Sequence, residues 1–84
     1  MSGSHFPELA LLAARKGWGV VADFKNVVGG WTIRLQGQSK RNSDRLETFI
    51  ADRRNQVEAL STVRNRAESD ARAFLAKEPD GEAW

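Results

Sequence analysis

The chain has 84 residues, enough for one domain, since independent cores typically need about 50–200 residues. It is 40% hydrophobic and 29% charged with a formal net charge of +2, which is typical of a soluble globular protein. The absence of cysteine excludes disulfides, thiolate nucleophiles, zinc knuckles and iron–sulfur sites. No apolar run approaches the roughly 18 residues that a membrane span needs and no signal peptide is visible, so a cytoplasmic protein without a membrane partner is expected.

The basic residues are concentrated before the C-terminus. All 13 Lys and Arg residues lie within 1–77, whereas the last seven residues carry Glu78, Asp80 and Glu82. Most of the basic residues are Arg, which favours bidentate contacts with phosphate or carboxylate groups. This layout favours nucleic acid or an acidic protein surface as the partner. The alternative is a solvated basic face that has no partner and keeps the protein soluble.

The chain begins with residues 1–5, which resemble a cloning remnant or a disordered leader and are left out of the fold. A short helix is predicted from Phe6, because Pro7 suits a first turn and Gly17 suits a helix end. Residues 6–77 are predicted to form the single domain. Residues 78–84 are predicted to form a flexible acidic tail.

A β-hairpin is predicted next. Residues 18–25 alternate between apolar and polar positions, and Trp31, Ile33 and Leu35 repeat that pattern. The segment 26–30 supplies the turn through Gly29 and Gly30. The alternation places Trp18, Val20, Ala22 and Phe24 on one buried face. Trp18 and Trp31 are therefore predicted to be structural, and the alternative is that they stack on single-stranded bases.

A long helix is predicted over residues 44–77, which contain neither Gly nor Pro. Leu46, Phe49 and Ile50 share one helical stripe with later apolar residues, and Ser43 is suited to cap it. A straight helix of this length would span about 51 Å, whereas a compact chain of this size is roughly 30 Å across. Either the helix breaks near 61–65 or its far half packs on a second copy, as in a homodimer.

The expected architecture is a single small α-β-β-α domain of the α+β class, with the hairpin packed on a short N-terminal helix and a long C-terminal helix. This order loosely resembles the double-stranded-RNA-binding domain, whose order is α-β-β-β-α. The Lys-Lys-x-x-Ala-Lys helix start and the Gly-Pro-x-His loop of that family are absent. Residues 45–60 would also have to supply a third strand, so the family is not assigned.

Groups suited to catalysis are scarce in this sequence. The chain has one His, in the leader, and no Cys or Tyr. Gly29 and Gly30 lack the Lys-Ser/Thr pair of a phosphate-binding loop, and Asp44, Glu47 and Asp52 lack the spacing of a metal site. The sequence therefore predicts a protein that is not an enzyme and uses no cofactor or metal.

Two kinds of binding function are left. The first is a small nucleic-acid-binding regulatory or accessory protein of bacterial, plasmid or phage type. The residues predicted to contact phosphates are Lys25, Arg34, Lys40, Arg41, Arg45 and Arg54.

The alternative is a protein-interaction module, an adaptor or small inhibitor, that acts through the long helix. The residues predicted at the partner or dimer interface are Ile50, Arg53, Val57, Leu60 and Arg64. Arg53 and Arg64 lie within the apolar stripe and need a partner there, either a salt bridge or an acidic ligand.

Overall fold

The computed structural model describes residues 5–27 and 29–80 and contains two helices and three strands. The elements are α1 (Pro7–Arg15), β1 (Trp18–Lys25), β2 (Trp31–Gly37), β3 (Leu46–Ala51) and α2 (Leu60–Ala76). The strands form one antiparallel sheet in the order β1-β2-β3, and both helices pack on the same face of it. The predicted α+β class is confirmed. Residues 1–4 of the predicted leader and 81–84 of the predicted tail lie outside the described residues.

The short helix α1 follows the sequence prediction closely. Pro7 occupies its first turn, where a missing backbone N–H is tolerated, and Glu8 is placed favourably for the helix dipole. Gly17 follows the helix with a φ of 77°, a conformation that glycine adopts without strain, and leads directly into β1. Leu9 and Ala13 on one side of α1 are buried against the sheet.

The hairpin is confirmed, but a β-bulge changes which side chains of β1 are buried. The register shifts between Val20 and Ala22, so that Asp23 lies opposite Ile33 and Phe24 lies opposite Thr32. An inserted residue reverses the alternation, because successive side chains in a strand point to opposite faces. The prediction that Ala22 and Phe24 share the buried face of Trp18 is therefore wrong.

The predicted helix over residues 44–59 is also wrong, because this segment contains β3 and a loop. Phe49 pairs with Ile33 and turns toward α2, where its ring lies 5.5 Å from that of Phe74. Leu46 and Ile50 point to the other face and are exposed. Strand β3 satisfies the backbone groups along the second edge of β2. The resulting element order is α-β-β-β-α, with the third strand supplied from within residues 45–60.

The C-terminal helix is half as long as predicted. It has 17 residues, begins at Leu60, and at 1.5 Å per residue spans about 26 Å. That length fits within a molecule of 44 × 28 × 21 Å. The predicted break therefore lies before 61–65, and excess helix length is no longer a reason to expect a homodimer.

The core lies between the helices and one face of the sheet. Trp18 and Trp31 are buried there, as predicted for structural residues. Trp18 packs edge-to-face on Phe74, with the ring centroids 5.2 Å apart. His5, assigned to the leader from the sequence, belongs to the fold, because its Nδ1 lies 3.0 Å from Oδ1 of Asp23 and its ring packs on Trp31.

Candidate nucleic-acid interface

One face of the sheet has no helix over it, and we call it the open face. The strand register assigns its side chains, which come in three rows across the sheet. The rows are Gly19, Gln36 and Leu46; Ala22, Arg34 and Thr48; and Phe24, Thr32 and Ile50. None of these nine residues is acidic. Phe24, Leu46 and Ile50 are 46%, 52% and 58% exposed, so the face is apolar around a polar middle.

Arg34 lies at the centre of the open face. It pairs with Ala22 on one neighbouring strand and with Thr48 on the other. Its Nε is buried and has no hydrogen-bond partner among the described residues. An Arg carries five N–H donors in a planar fork and no acceptor, so this side chain is suited to an anionic or carbonyl-rich ligand.

Three other candidate cations lie at the two ends of the sheet. Lys25 is exposed at the hairpin end of β1, and its pairing with Trp31 places it in a row of the covered face, at the edge of the sheet. Arg54 lies at the same end, in the loop after β3, and Lys40 lies at the opposite end, in the loop before β3. Within the described chain, Lys25, Lys40 and Arg54 form no ion pair. These loops also carry acidic residues, Asp44 in the loop before β3 and Asp52 and Glu58 in the loop after it.

The loop that carries Lys40 is fixed by a buried asparagine. Oδ1 of Asn42 accepts hydrogen bonds from the backbone N–H and the hydroxyl of Ser39, at 3.0 and 2.8 Å. Its Nδ2 donates to the carbonyl of Gly17 at 3.2 Å. A side chain at Gly37 would collide with the Asn42 backbone, so glycine is required there. Sequence analysis described this loop only as a polar connector and missed the Asn42 network.

The loop at the hairpin end is fixed by two side chains. Arg53 donates to the carbonyls of Gln56 and Glu58, at 2.6 and 3.0 Å. The backbone N–H of Arg54 donates to Oε1 of Glu58 at 2.7 Å, and this bond is the main reason that the pKa of Glu58 lies below its usual 4.5. Burial opposes that shift, and the positive charge of Arg66, which also bonds Glu58, adds to it.

Two of the six predicted phosphate contacts lie elsewhere. Arg41 and Arg45 both contact the carboxylate of Glu78, at 3.4 and 3.7 Å. Residues 78–80, which were predicted to begin a flexible tail, therefore contact the domain in the structure. The structure brings Arg34 to the centre of the open face and Lys25, Lys40 and Arg54 to the ends of the sheet, but it places Arg41 and Arg45 in a separate ion cluster.

The five predicted interface residues do not share a helix face. Ile50 lies in β3, Arg53 and Val57 in the loop that follows, and Leu60 at the start of α2. Arg64 lies over the ring of Phe6 at 4.3 Å and bonds the carbonyl of His5, so its partners are within the domain. These five residues therefore do not form the single long-helix surface that was expected from the sequence.

Neither a metal site nor a membrane-spanning helix is found among the described residues. No group of three His, Cys, Asp or Glu within 5–27 and 29–80 is placed to hold a metal ion. None of the helices over this part of the chain is long and apolar enough to cross a membrane. Comparisons of the chain with protein-family models, with curated proteins and with solved structures give no match.

Proposed function

We propose that the protein binds nucleic acid through the open face, as a small cytoplasmic regulatory or accessory protein without enzymatic activity. The observation that carries the proposal is Arg34, a cation with a buried, unpartnered Nε at the centre of a sheet face that has no acidic residue. Lys25, Lys40 and Arg54 add positive charge at the two ends of the sheet. Phosphates would be contacted at the ends and a base at the centre.

The dimensions of the open face favour duplex DNA. The major groove of B-DNA is about 12 Å wide and admits a two-stranded β-ribbon, so two neighbouring strands of the sheet would lie in it at once. Strands are known to enter that groove, and Arg is the commonest reader of guanine there, through O6 and N7. Thymine methyl groups would contact the apolar residues beside Arg34, among them Ile50. The deep, narrow major groove of duplex RNA would not admit the sheet.

A second copy of this chain is less suited to the open face than a nucleic acid is. Stacking two such faces would take Arg34 of each copy out of water without an acidic partner on either face, and burying an unpaired charge is costly. A nucleic acid supplies acceptors to the same guanidinium.

The second candidate is a protein-interaction module. It is favoured by the exposed apolar side chains of the sheet, which are Val21, Phe24, Leu46 and Ile50. Such a partner must bring an acidic or carbonyl group to Arg34. Its affinity would depend mainly on one or two anchor residues and less on salt.

The test is fluorescence anisotropy with labelled duplex DNA, duplex RNA and single-stranded oligonucleotides, from about 50 to 300 mM salt. We expect duplex DNA to bind most tightly, and Arg34→Ala to weaken it by about tenfold, since one bidentate base contact contributes about 1–3 kcal/mol. Arg15→Ala is the matched control, because Arg15 is exposed on α1 and forms no ion pair in the described chain.

Three outcomes would contradict the proposal. Equal losses of DNA affinity from Arg34→Ala and Arg15→Ala would show that the net charge of the protein controls binding and that the open face does not. Tighter binding of single strands, lost with Phe24→Ala, would indicate base stacking in place of groove binding. An absence of binding at low salt and tens of micromolar protein would leave the protein-interaction module.

A further inference from the structure

The segment 78–80 is bound by donors from three other parts of the chain. The Glu78 carboxylate accepts from the indole Nε1 of Trp18 at 3.2 Å and lies 3.4 and 3.7 Å from the guanidinium groups of Arg41 and Arg45. The ammonium group of Lys16 contacts the carbonyl of Glu78 at 3.0 Å and the carboxylate of Asp80 at 3.2 Å. One acidic segment thus fills a pocket lined by three cationic side chains, of which Arg45 also pairs with Glu47 at 3.3 Å.

The pocket keeps its shape through contacts that do not involve Glu78. The guanidinium of Arg45 lies over the rings of Trp18 and Phe74, at 5.1 and 5.9 Å. Arg41 donates to the carbonyl of Lys16 at 3.3 Å, at the C-terminal end of α1. Donors that are already held in place lose less entropy when they bind an anion.

Trp18 favours an occupied pocket over an empty one. Its side chain is fully buried, and the indole N–H can only donate. If Glu78 left, this donor would lose its partner in a buried position, which is costly. An oxyanion that entered the pocket would restore the bond, so exchange of one anion for another is favoured over an empty pocket.

We propose that Lys16, Trp18, Arg41 and Arg45 form a second anion site, which holds Glu78 in the free protein and takes a phosphate group of nucleic acid when the protein binds it. The proposal rests on the function proposed above. The site lies beyond the Lys40 end of the sheet, on the side of the helices, and Arg41 follows Lys40 directly in that loop, so a nucleic acid bound to the open face would have to extend past this end of the sheet to reach it. A phosphate has the oxygens to accept from both guanidinium groups and the indole.

The first experiment compares Glu78→Gln with the wild type by anisotropy on duplex DNA over the same salt range. The amide keeps an oxygen for the Trp18 N–H but removes the competing charge, so affinity should rise about threefold to tenfold. The slope of log K against log salt should stay within about one unit of that of the wild type, because the site takes one phosphate in both bound proteins. Asp70→Asn is the matched control, since it removes one exposed charge that forms no ion pair in the described chain.

A second experiment uses inorganic phosphate and needs no nucleic acid. In Glu78→Gln, phosphate should shift the NMR resonance of the Trp18 indole N–H, and adding Arg41→Ala and Arg45→Ala should abolish the shift. If phosphate leaves that resonance unchanged and Glu78→Gln matches Asp70→Asn on DNA, the second site is overturned, even where Arg34→Ala supports the open face. A phosphate-dependent shift without any DNA binding supports the anion site and overturns the proposed function.

Discussion

The two faces of the sheet are built from similar residues but have different surroundings. Ile33 and Ile50 lie on neighbouring strands, yet Ile33 is fully buried beneath the helices and Ile50 is 58% exposed. The covered face is closed by α1 and α2 around Trp18 and Trp31. Polar groups beside it are hydrogen-bonded, His5 with Asp23 and the indole N–H of Trp18 with Glu78. The open face carries apolar side chains and an Arg with an unpaired donor. Apolar content alone therefore does not distinguish core from binding surface, and the location of the helices does.

The largest expected effect separates the two faces by stability. Ile33→Ala should lower the free energy of unfolding by about 2–5 kcal/mol, because it removes packed methyl groups from a closed core. Ile50→Ala should change it by only about 0.5 kcal/mol, because the same side chain is already in contact with water. Urea denaturation of both variants measures the difference. Equal losses would show that the open face is covered in solution.

A second test asks whether another copy covers the open face. We expect sedimentation at micromolar concentration to give a single species of 9.4 kDa, since excess helix length is gone and Arg34 opposes face-to-face stacking. The homodimer expected from the sequence would give twice that mass. In that case Ile50→Asp should dissociate it if the open face is the interface, whereas Leu11→Asp, on the exposed side of α1, should not.

The smallest effect concerns the loop at the hairpin end of the open face. The pKa of Glu58 is lowered by the folded structure, so its carboxylate stabilises the fold at pH values above its usual 4.5. That contribution is lost as the pH falls through 4.5 and below the folded pKa. The melting temperature of the wild type should therefore exceed that of Glu58→Gln near pH 7, and the two should converge in acid. A constant difference across this range would contradict the assignment.

The sequence alone was sufficient for α1 and the hairpin, because their signals are local. Pro7 and Gly17 mark the helix ends, and the alternation from Trp31 to Leu35 predicts a half-buried strand. The same reasoning identified Arg34 as a candidate contact and Trp18 and Trp31 as buried. The absence of cysteine from the sequence also excluded disulfides and cysteine-dependent sites.

Strand β3 and the locations of the arginines were decided by the tertiary structure. Leu46, Phe49 and Ile50 fit a helical stripe, and they fit a strand only when both sheet faces carry apolar residues, which no local pattern shows. The bulge after Val20 moves Phe24 to the open face, and only pairing with β2 reveals it. The contacts of Glu78 with Trp18 and Arg41 join residues far apart in sequence. Periodicity reports which side chains share a face, but the packing of other elements decides which face is covered.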